Sequence, residues 1–418
     1  LPLVCVIKCK TRILIFFNFN NGDLKMKCIA PWYEINISAP DNYVSACCYY
    51  SGSRSAWSDE PVDIEAYWNS KHMQATRDID LGLSTEVENG CTNCHYFKHR
   101  DTKEMIHSNF LTIDEDASDE QKLNWKIALE DYKGGLKKIR SKPLRYYINF
   151  GFNCNLECIQ CMQVPVRKAK KRQVQSDLIL NWKQHMKAAL DISVIGGEPF
   201  AIPEAVKFIR NVVEDSSLDD VRLFIYTNGT LHHKHLDTLK KKKKLSLCIS
   251  LDSMGSSYEF IRKNGSWDQV EKNILDFIEV GRSSNSLDWG LATTCGLMKA
   301  GVSTLPEFAA WCVKHKIPTM FFDLITAPGI ETVIEEQDII GHPHQVLDVP
   351  HWDRYFTDAA DIFRDGGQVP SAERLEHYRD HIFEGLNLWH ENKFMEEKLK
   401  LFEENKNLRR PPIIDFPK

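Results

Sequence analysis

From Arg145 onward, short apolar runs alternate with stretches whose apolar residues recur every three or four positions. The runs are Tyr146–Phe152, Ile192–Ile195, Val221–Tyr226, Leu245–Leu251, Trp289–Thr293 and Met320–Ile325. Each has the length of a strand, and the stretches between them have the period of amphipathic helices. Trp267, Val270, Ile274 and Phe277 give one such helix a buried face. Leu305, Phe308, Ala309 and Cys312 give another, with Ser303 as its expected N-cap. Six strands alternating with helices predict an α/β fold with a parallel sheet. A closed barrel needs eight strands, so a partial (β/α)6 parallel barrel is expected. Ligands of such sheets bind at the carboxyl ends of the strands.

The flanks have a different texture. From Cys28 to about Phe97 the chain is cysteine-rich and reads as strand-poor. Residues 98–142 read as a connector, with an acidic patch from Asp114 to Glu120 and a helix around Gln121 to Ile139. After Pro328 the strand signal fades. Gly329 to Pro350 reads as loop, and His351 to about Leu408 as mainly helical, ended by Pro411 and Pro412. The expected division is a leader over 1–25, a small cysteine-rich N-terminal module over 26–97, a connector over 98–142, a core over 143–330 and a helical C-terminal extension over 331–418. The leader carries Lys8, Lys10 and Arg12 before a short apolar patch, without the long apolar region of a secretory signal. The expectation is that translation begins at Met26.

Composition narrows the classes. Of 418 residues, 43% are apolar and 27% charged, with a net charge of −5. This balance argues against a mainly electrostatic nucleic-acid or membrane binder, and no apolar run is long enough to span a bilayer. Neither a nucleic acid nor a membrane is expected as a partner. The 13 cysteines are odd in number and lack the spacing of a disulfide framework. Several instead cluster at metal-ligand spacing, which predicts a reducing, cytoplasmic setting.

The chemistry concentrates after the first core strand. Cys154, Cys158 and Cys161 stand at C-x3-C-x2-C spacing. Three thiolates can hold three irons of a 4Fe–4S cluster and leave the fourth open, free to chelate the amino and carboxylate groups of a methionine. The competing reading is a zinc knuckle or unrelated core cysteines. Zinc prefers four ligands in a closed site, and no fourth Cys or His follows nearby. At the end of the second strand comes Ile195-Gly196-Gly197-Glu198-Pro199. Two glycines let backbone approach a ligand closely, and Glu198 can accept a hydrogen bond from a cationic amine.

Together these segments resemble the radical S-adenosylmethionine (SAM) superfamily over roughly residues 143–330. Tyr226-Thr227-Asn228-Gly229-Thr230, Ile249-Ser250-Leu251-Asp252 and Tyr258-Glu259-Phe260-Ile261-Arg262 extend the match in order. The resemblance implies that the three cysteines bind the SAM-cleaving 4Fe–4S cluster and that Gly196, Gly197 and Glu198 hold the SAM amino group. It places Asn228 in the site, Ser250 near the ribose or carboxylate and Arg262 near the carboxylate. The plainer alternative makes Asp252 and Arg262 a structural ion pair and Asn228 a turn residue. One departure stands out: the residue before the third cysteine is usually aromatic in this family and contacts the adenine, whereas here it is Gln160.

The N-terminal cysteines form a second group. Cys28 opens a Cys-x-x-Pro-Trp segment, Cys47 and Cys48 are adjacent, and Cys91 and Cys94 form a C-x2-C pair. A four-thiolate site fits this set, either structural zinc or iron–sulfur. The pattern resembles the auxiliary-cluster modules called SPASM or twitch domains. That resemblance implies a second, auxiliary Fe–S cluster on Cys28, Cys47, Cys91 and Cys94, with Cys48 as the rival to Cys47. Other signals are discounted. The run Lys240 to Lys244 reads as a solvated helix end, His232, His233 and His235 as exposed, and Cys248, Cys295 and Cys312 as core residues.

The implied activity is reductive cleavage of SAM to methionine and a 5′-deoxyadenosyl radical that takes hydrogen from a substrate. An electron donor such as flavodoxin or ferredoxin is implied as a partner. Peptide or protein modification ranks first for the substrate, since auxiliary-cluster relatives often oxidise or cross-link side chains. A small metabolite of sugar or nucleoside type ranks second, and a non-catalytic iron–sulfur or zinc protein third. No acid or base is identified; Asp323, on the last strand, is the place to look.

Overall fold

The computed structural model describes residues 12–14, 28–38, 43–47, 55–56, 63–80, 112–169, 171–283, 286–325 and 329–390. Its strands are β1 (Arg12–Leu14), β2 (Glu34–Ser38), β3 (Tyr43–Ser45), β4 (Ser55–Ala56), β5 (Thr112–Asp114), β6 (Arg145–Asn149), β7 (Asp191–Ile195), β8 (Arg222–Thr227), β9 (Lys244–Ser250), β10 (Asp288–Gly296) and β11 (Thr319–Phe322). Nine of them form one sheet in the order β11-β10-β9-β8-β7-β6-β2-β3-β4. From β11 to β2 every pairing is parallel. All six expected core strands are present, each within a few residues of its apolar run.

Register explains why these runs are strands. Tyr146, Ile192, Leu223, Leu245 and Trp289 are successive register partners across the sheet, and Ile148, Val194, Ile225, Leu247 and Leu291 form the next row. Both rows are almost wholly buried. They lie in one core with Phe208, Ile209 and Val212 of the helix Pro203–Glu214 and with Val270, Ile274 and Phe277 of the helix Trp267–Arg282. Alternate residues project to the opposite face, which is polar. There Arg145 pairs with Asp191 at 3.2 Å and with Glu34 at 3.5 Å, and donates to Tyr226 Oη at 3.3 Å. One face of the sheet is therefore packed beneath helices, and the other carries charge and phenols.

The N-terminal flank departs from its strand-poor reading. β2, β3 and β4 extend the core sheet, with Glu34 in register opposite Arg145. Ile35 and Ile37 are fully buried; so short a strand is hard to separate from loop by periodicity alone. Arg77 ties this flank together. It is fully buried, donates to the carbonyls of Pro31 (3.0 Å), Trp68 (2.8 Å) and Lys137 (2.8 Å), and lies 4.9 Å from the Trp68 ring centroid. Trp32 and Trp68 add indole hydrogen bonds to Leu136 O and Ser141 O.

Other expectations change in detail. The connector helix runs Asp119–Lys133 and starts with a reciprocal capping box between Ser118 and Gln121. The N-cap position of the helix Leu305–His315 is Thr304, not Ser303. The stretch read as loop holds a helix, Glu331–Gln337, and a 3-10 helix, Pro343–Asp348, whose Ile334 and Val346 are buried. Lys242 and Lys244 are buried rather than solvated. The Lys242 ammonium meets the carbonyl of Leu218, at the end of a 3-10 helix, and Lys244 pairs with Asp116 at 2.9 Å; carbonyl ends and carboxylates compensate the burial of charge. His232 is buried too, its ring edge-on to Phe277 and its Nε2 at 3.0 Å from Asn273 O. Burial lowers its pKa to about 4, so it packs as a neutral ring. Cys248, Cys295 and Cys312 are core residues as read. Among the described residues, no helix is long and apolar enough to cross a membrane.

Candidate functional site

The cysteine loop leaves the carboxyl end of β6 and is stitched to its neighbours by backbone hydrogen bonds. Glu157 N donates to Lys263 O (3.0 Å) and Ile159 N to Ile261 O (2.9 Å), which docks the loop on the end of the helix Gly255–Ile261. Arg167 closes it from behind, with Nη1 on Leu156 O at 2.6 Å and Nη2 on Glu157 at 2.7 Å. Cys154, Cys158 and Cys161 are each half-buried.

Their sulfurs sit among donors. Leu156 N lies 3.4 Å and Asn228 Nδ2 3.7 Å from Cys154 Sγ, and Arg262 Nη1 lies 3.7 Å from Cys158 Sγ. Burial raises the Cys154 pKa, opposed by those two donors, with Glu198 and Cys161 adding to the rise. Burial pushes Cys158 up to about 11; Arg262 opposes it, while Asp252, Cys161 and Cys154 add to it. Cys154 and Cys158 thus resist deprotonation, chiefly through burial. Among the described residues, no three His, Cys, Asp or Glu gather tightly enough for a single metal ion. A four-iron cluster binds each thiolate at a different iron and calls for wider spacing. The residues fit such a cluster in donor type, in number and in the N–H groups aimed at sulfur.

The Gly196–Glu198 segment is pressed against this loop. Gly197 N donates to Gly151 O and Glu198 N to Asn153 O, both at 2.8 Å. A Cβ on Gly197 would lie 2.2 Å from Asn153 O and 2.5 Å from Phe152 O, and one on Gly196 would lie 2.7 Å from Gly151 O. Glycine is required here by close approach of two backbones. Glu198 is fully buried and braces the next strand: its carboxylate accepts from Thr227 Oγ1 (2.8 and 3.0 Å), Asn228 N (2.7 Å) and Phe200 N (3.1 Å). Burial raises its pKa to about 7 despite those donors and Arg262.

Asn228, besides facing Cys154, donates to Asn155 Oδ1 at 3.0 Å and accepts from Thr230 N at 3.0 Å. Ser250 Oγ accepts from Thr294 Oγ1 at 3.3 Å at the carboxyl end of β9. Arg262 is buried and paired with Asp252 at 2.6 Å. Burial works against its cation, but Asp252 first, then Cys158 and Tyr258, outweigh this and raise its pKa. The structure thus gathers Cys154, Cys158, Cys161, Gly196, Gly197, Glu198, Asn228 and Arg262 around one loop. Thr227 joins them as a brace on Glu198; its place directly before Asn228 was the available signal. Asp323 lies exposed just past β11 and accepts from Tyr378 Oη at 3.2 Å.

Of the N-terminal set, Cys28 and Cys47 are half-buried. Ala30 N lies 3.4 Å from Cys28 Sγ, the same local geometry that Leu156 N gives Cys154. Pro31 O receives Arg77. Cys48, Cys91 and Cys94 lie outside the described residues.

Residues 148–291, about a third of the chain, match the model of the Radical SAM superfamily. Over 137 residues, 30% of this chain, the sequence is 32% identical to "Molybdenum cofactor biosynthesis protein 1" of Dictyostelium discoideum; the match spans about a fifth (21%) of that protein. Among solved structures, Streptococcus suis SuiB bound to S-adenosylmethionine is similar at 20% identity and a TM-score of 0.43, over 58% of this chain and 54% of that one. The structure of anSMEcpe with bound AdoMet is similar at 15% identity and a TM-score of 0.39, over 53% and 60%.

Proposed function

Starting from the match to the Radical SAM superfamily at residues 148–291, we propose that this chain is an enzyme that cleaves SAM reductively at a 4Fe–4S cluster held by Cys154, Cys158 and Cys161. The observation that carries it is the convergence of the three thiols, Asn228, Arg262 and the Gly196–Glu198 segment at the carboxyl ends of β6, β7 and β8. When bound, the cluster and SAM supply a 5′-deoxyadenosyl radical that abstracts hydrogen from the substrate. The chain's own part is to hold and orient. Asn228 and Arg262 fix Cys154 and Cys158, and Gly197 lets the second strand's loop lie flat on the first. Glu198 bolts the second strand's loop to the third strand through Thr227. The core is read as a partial barrel with its polar face inward, lined by Arg145, Tyr147, Ser193 and Tyr226.

The substrate favoured is a peptide or protein side chain, and the N-terminal cysteines are read as a SPASM- or twitch-like module holding an auxiliary Fe–S cluster. The N–H aimed at Cys28 Sγ supports a ligand role for that residue. Flavodoxin or ferredoxin is the class of electron donor, in a cytoplasmic setting. A second reading, a small metabolite, is favoured by the likeness to a protein named for molybdenum cofactor biosynthesis.

The test uses anaerobically reconstituted full chain reduced with dithionite, beside a Cys154→Ala, Cys158→Ala, Cys161→Ala variant. Expected are an electron paramagnetic resonance (EPR) signal that SAM perturbs and release of 5′-deoxyadenosine, both lost in the variant. An iron-loaded parent whose signal ignores SAM and which releases no 5′-deoxyadenosine would overturn the proposal. Iron content read on the same samples separates one cluster from two.

A further inference from the structure

Arg262 has each of its three nitrogens assigned. Its Nε donates to Leu251 O at 3.2 Å, its Nη2 pairs with Asp252 Oδ2 at 2.6 Å and its Nη1 faces Cys158 Sγ at 3.7 Å. Asp252 is itself fixed from several sides. It is a non-glycine residue at φ 61°, a conformation that costs energy unless the surroundings impose it. Gly296 N donates to its Oδ1 at 2.8 Å, and the Cys295 thiol lies 3.3 Å from its carbonyl oxygen. The amide of Gln160 donates to the same Oδ2 that pairs with Arg262. Gln160 immediately precedes Cys161, so the network starts and finishes on the cysteine loop, at Cys161's neighbour and at the Cys158 sulfur.

We infer that Gln160, Asp252 and Arg262 form a built-in charge regulator of the iron–sulfur centre, setting its reduction potential through the Cys158 thiolate. The inference rests on the cluster reading above. Reduction adds an electron to the cluster and its thiolates, and a cation hydrogen-bonded to a ligating sulfur favours the reduced form. Asp252 offsets that cation, and the donors from Gln160 and Gly296 spread its negative charge, leaving Arg262 partly uncompensated towards sulfur. These side chains are positioning residues: they act through Cys158.

The two halves of the pair carry opposite signs, which a merely structural role does not predict. Arg262→Gln removes the cation and shifts the ratio of reduced to oxidised cluster about tenfold towards oxidised, ~59 mV downward for one electron. Asp252→Asn removes the offsetting anion and shifts it upward by a similar factor, and asparagine tolerates positive φ. The measurement is an EPR-monitored potentiometric titration of the anaerobically reconstituted full chain without SAM. Opposite shifts support the inference. Potentials equal to the parent's, or shifts in one common direction, overturn it while leaving the cluster reading intact. If Arg262→Gln fails to retain iron, an unmoved or lowered potential in Asp252→Asn overturns it alone. A parent that takes up no cluster overturns the cluster reading and this inference with it, and iron content identifies that case.

Discussion

Replacing Gly197 with alanine adds one methyl group where two backbones already touch. The new Cβ would lie 2.2 Å from Asn153 O and 2.5 Å from Phe152 O. A carbon–oxygen contact is comfortable near 3.3 Å, so the cysteine loop must withdraw by about 1 Å. Both obstructing atoms are backbone, and no side-chain rotamer relieves them. Withdrawal stretches the hydrogen bonds Gly197 N to Gly151 O and Glu198 N to Asn153 O, each 2.8 Å. Overpacking costs roughly 1–3 kcal/mol and each weakened hydrogen bond about 1 kcal/mol, so the expected loss is ~3 kcal/mol. The strain falls on the residues just before Cys154, so cluster uptake should suffer more than global folding. The assay is iron per chain after anaerobic reconstitution, with a urea midpoint on the iron-free protein. A Gly197→Ala protein with the parent's iron content and midpoint would refute the close-packing argument.

Glu198 gives the iron-free protein a pH dependence. Its folded-state pKa, about 7, lies above the ordinary 4.5 because of burial. The neutral form is the one favoured by folding, so its contribution is complete below pH 4.5 and lost as pH rises through 7. The loss amounts to about 3 kcal/mol at most, and Glu198→Gln should flatten that slope in urea midpoints taken from about pH 5 to pH 8; equal slopes in both proteins would contradict it. Arg77→Ala should cost about 3–5 kcal/mol, since it orphans the buried carbonyls of Pro31 and Trp68 and the partly buried one of Lys137. Arg77→Lys should recover little, because an ammonium cannot span the fork; a lysine variant with the parent's urea midpoint would show that the three bonds are not the anchor.

The core was readable from sequence because its signal is redundant. Each strand is an apolar run buried on one face across five-residue rows, and each motif follows a strand end in order. Cys154, Cys158 and Cys161 needed only spacing to be found. What escaped depends on distance in the chain. β2 is five residues long and finds its partner in β6, so no local pattern marks it. Lys242 and Lys244 look like a solvated run, yet their burial is set by Leu218 and Asp116, which lie well before them in the chain. Arg262 was visible as a motif residue, but its direction towards Cys158 follows from the turn at Asp252, which only the folded backbone shows.

The pairing of β2 with β6 also bears on the order in which this molecule is made. Glu34–Ser38 leaves the ribosome more than a hundred residues ahead of Arg145–Asn149, its parallel partner. At the usual pace of synthesis, roughly 5–20 residues per second, it waits roughly 5–20 s for that partner to emerge. During that interval Cys28 and Cys47, which flank the strand, belong to a nascent chain without its sheet. The parallel edge of that strand is thus completed only once the β6 segment has emerged, although the strand is translated first.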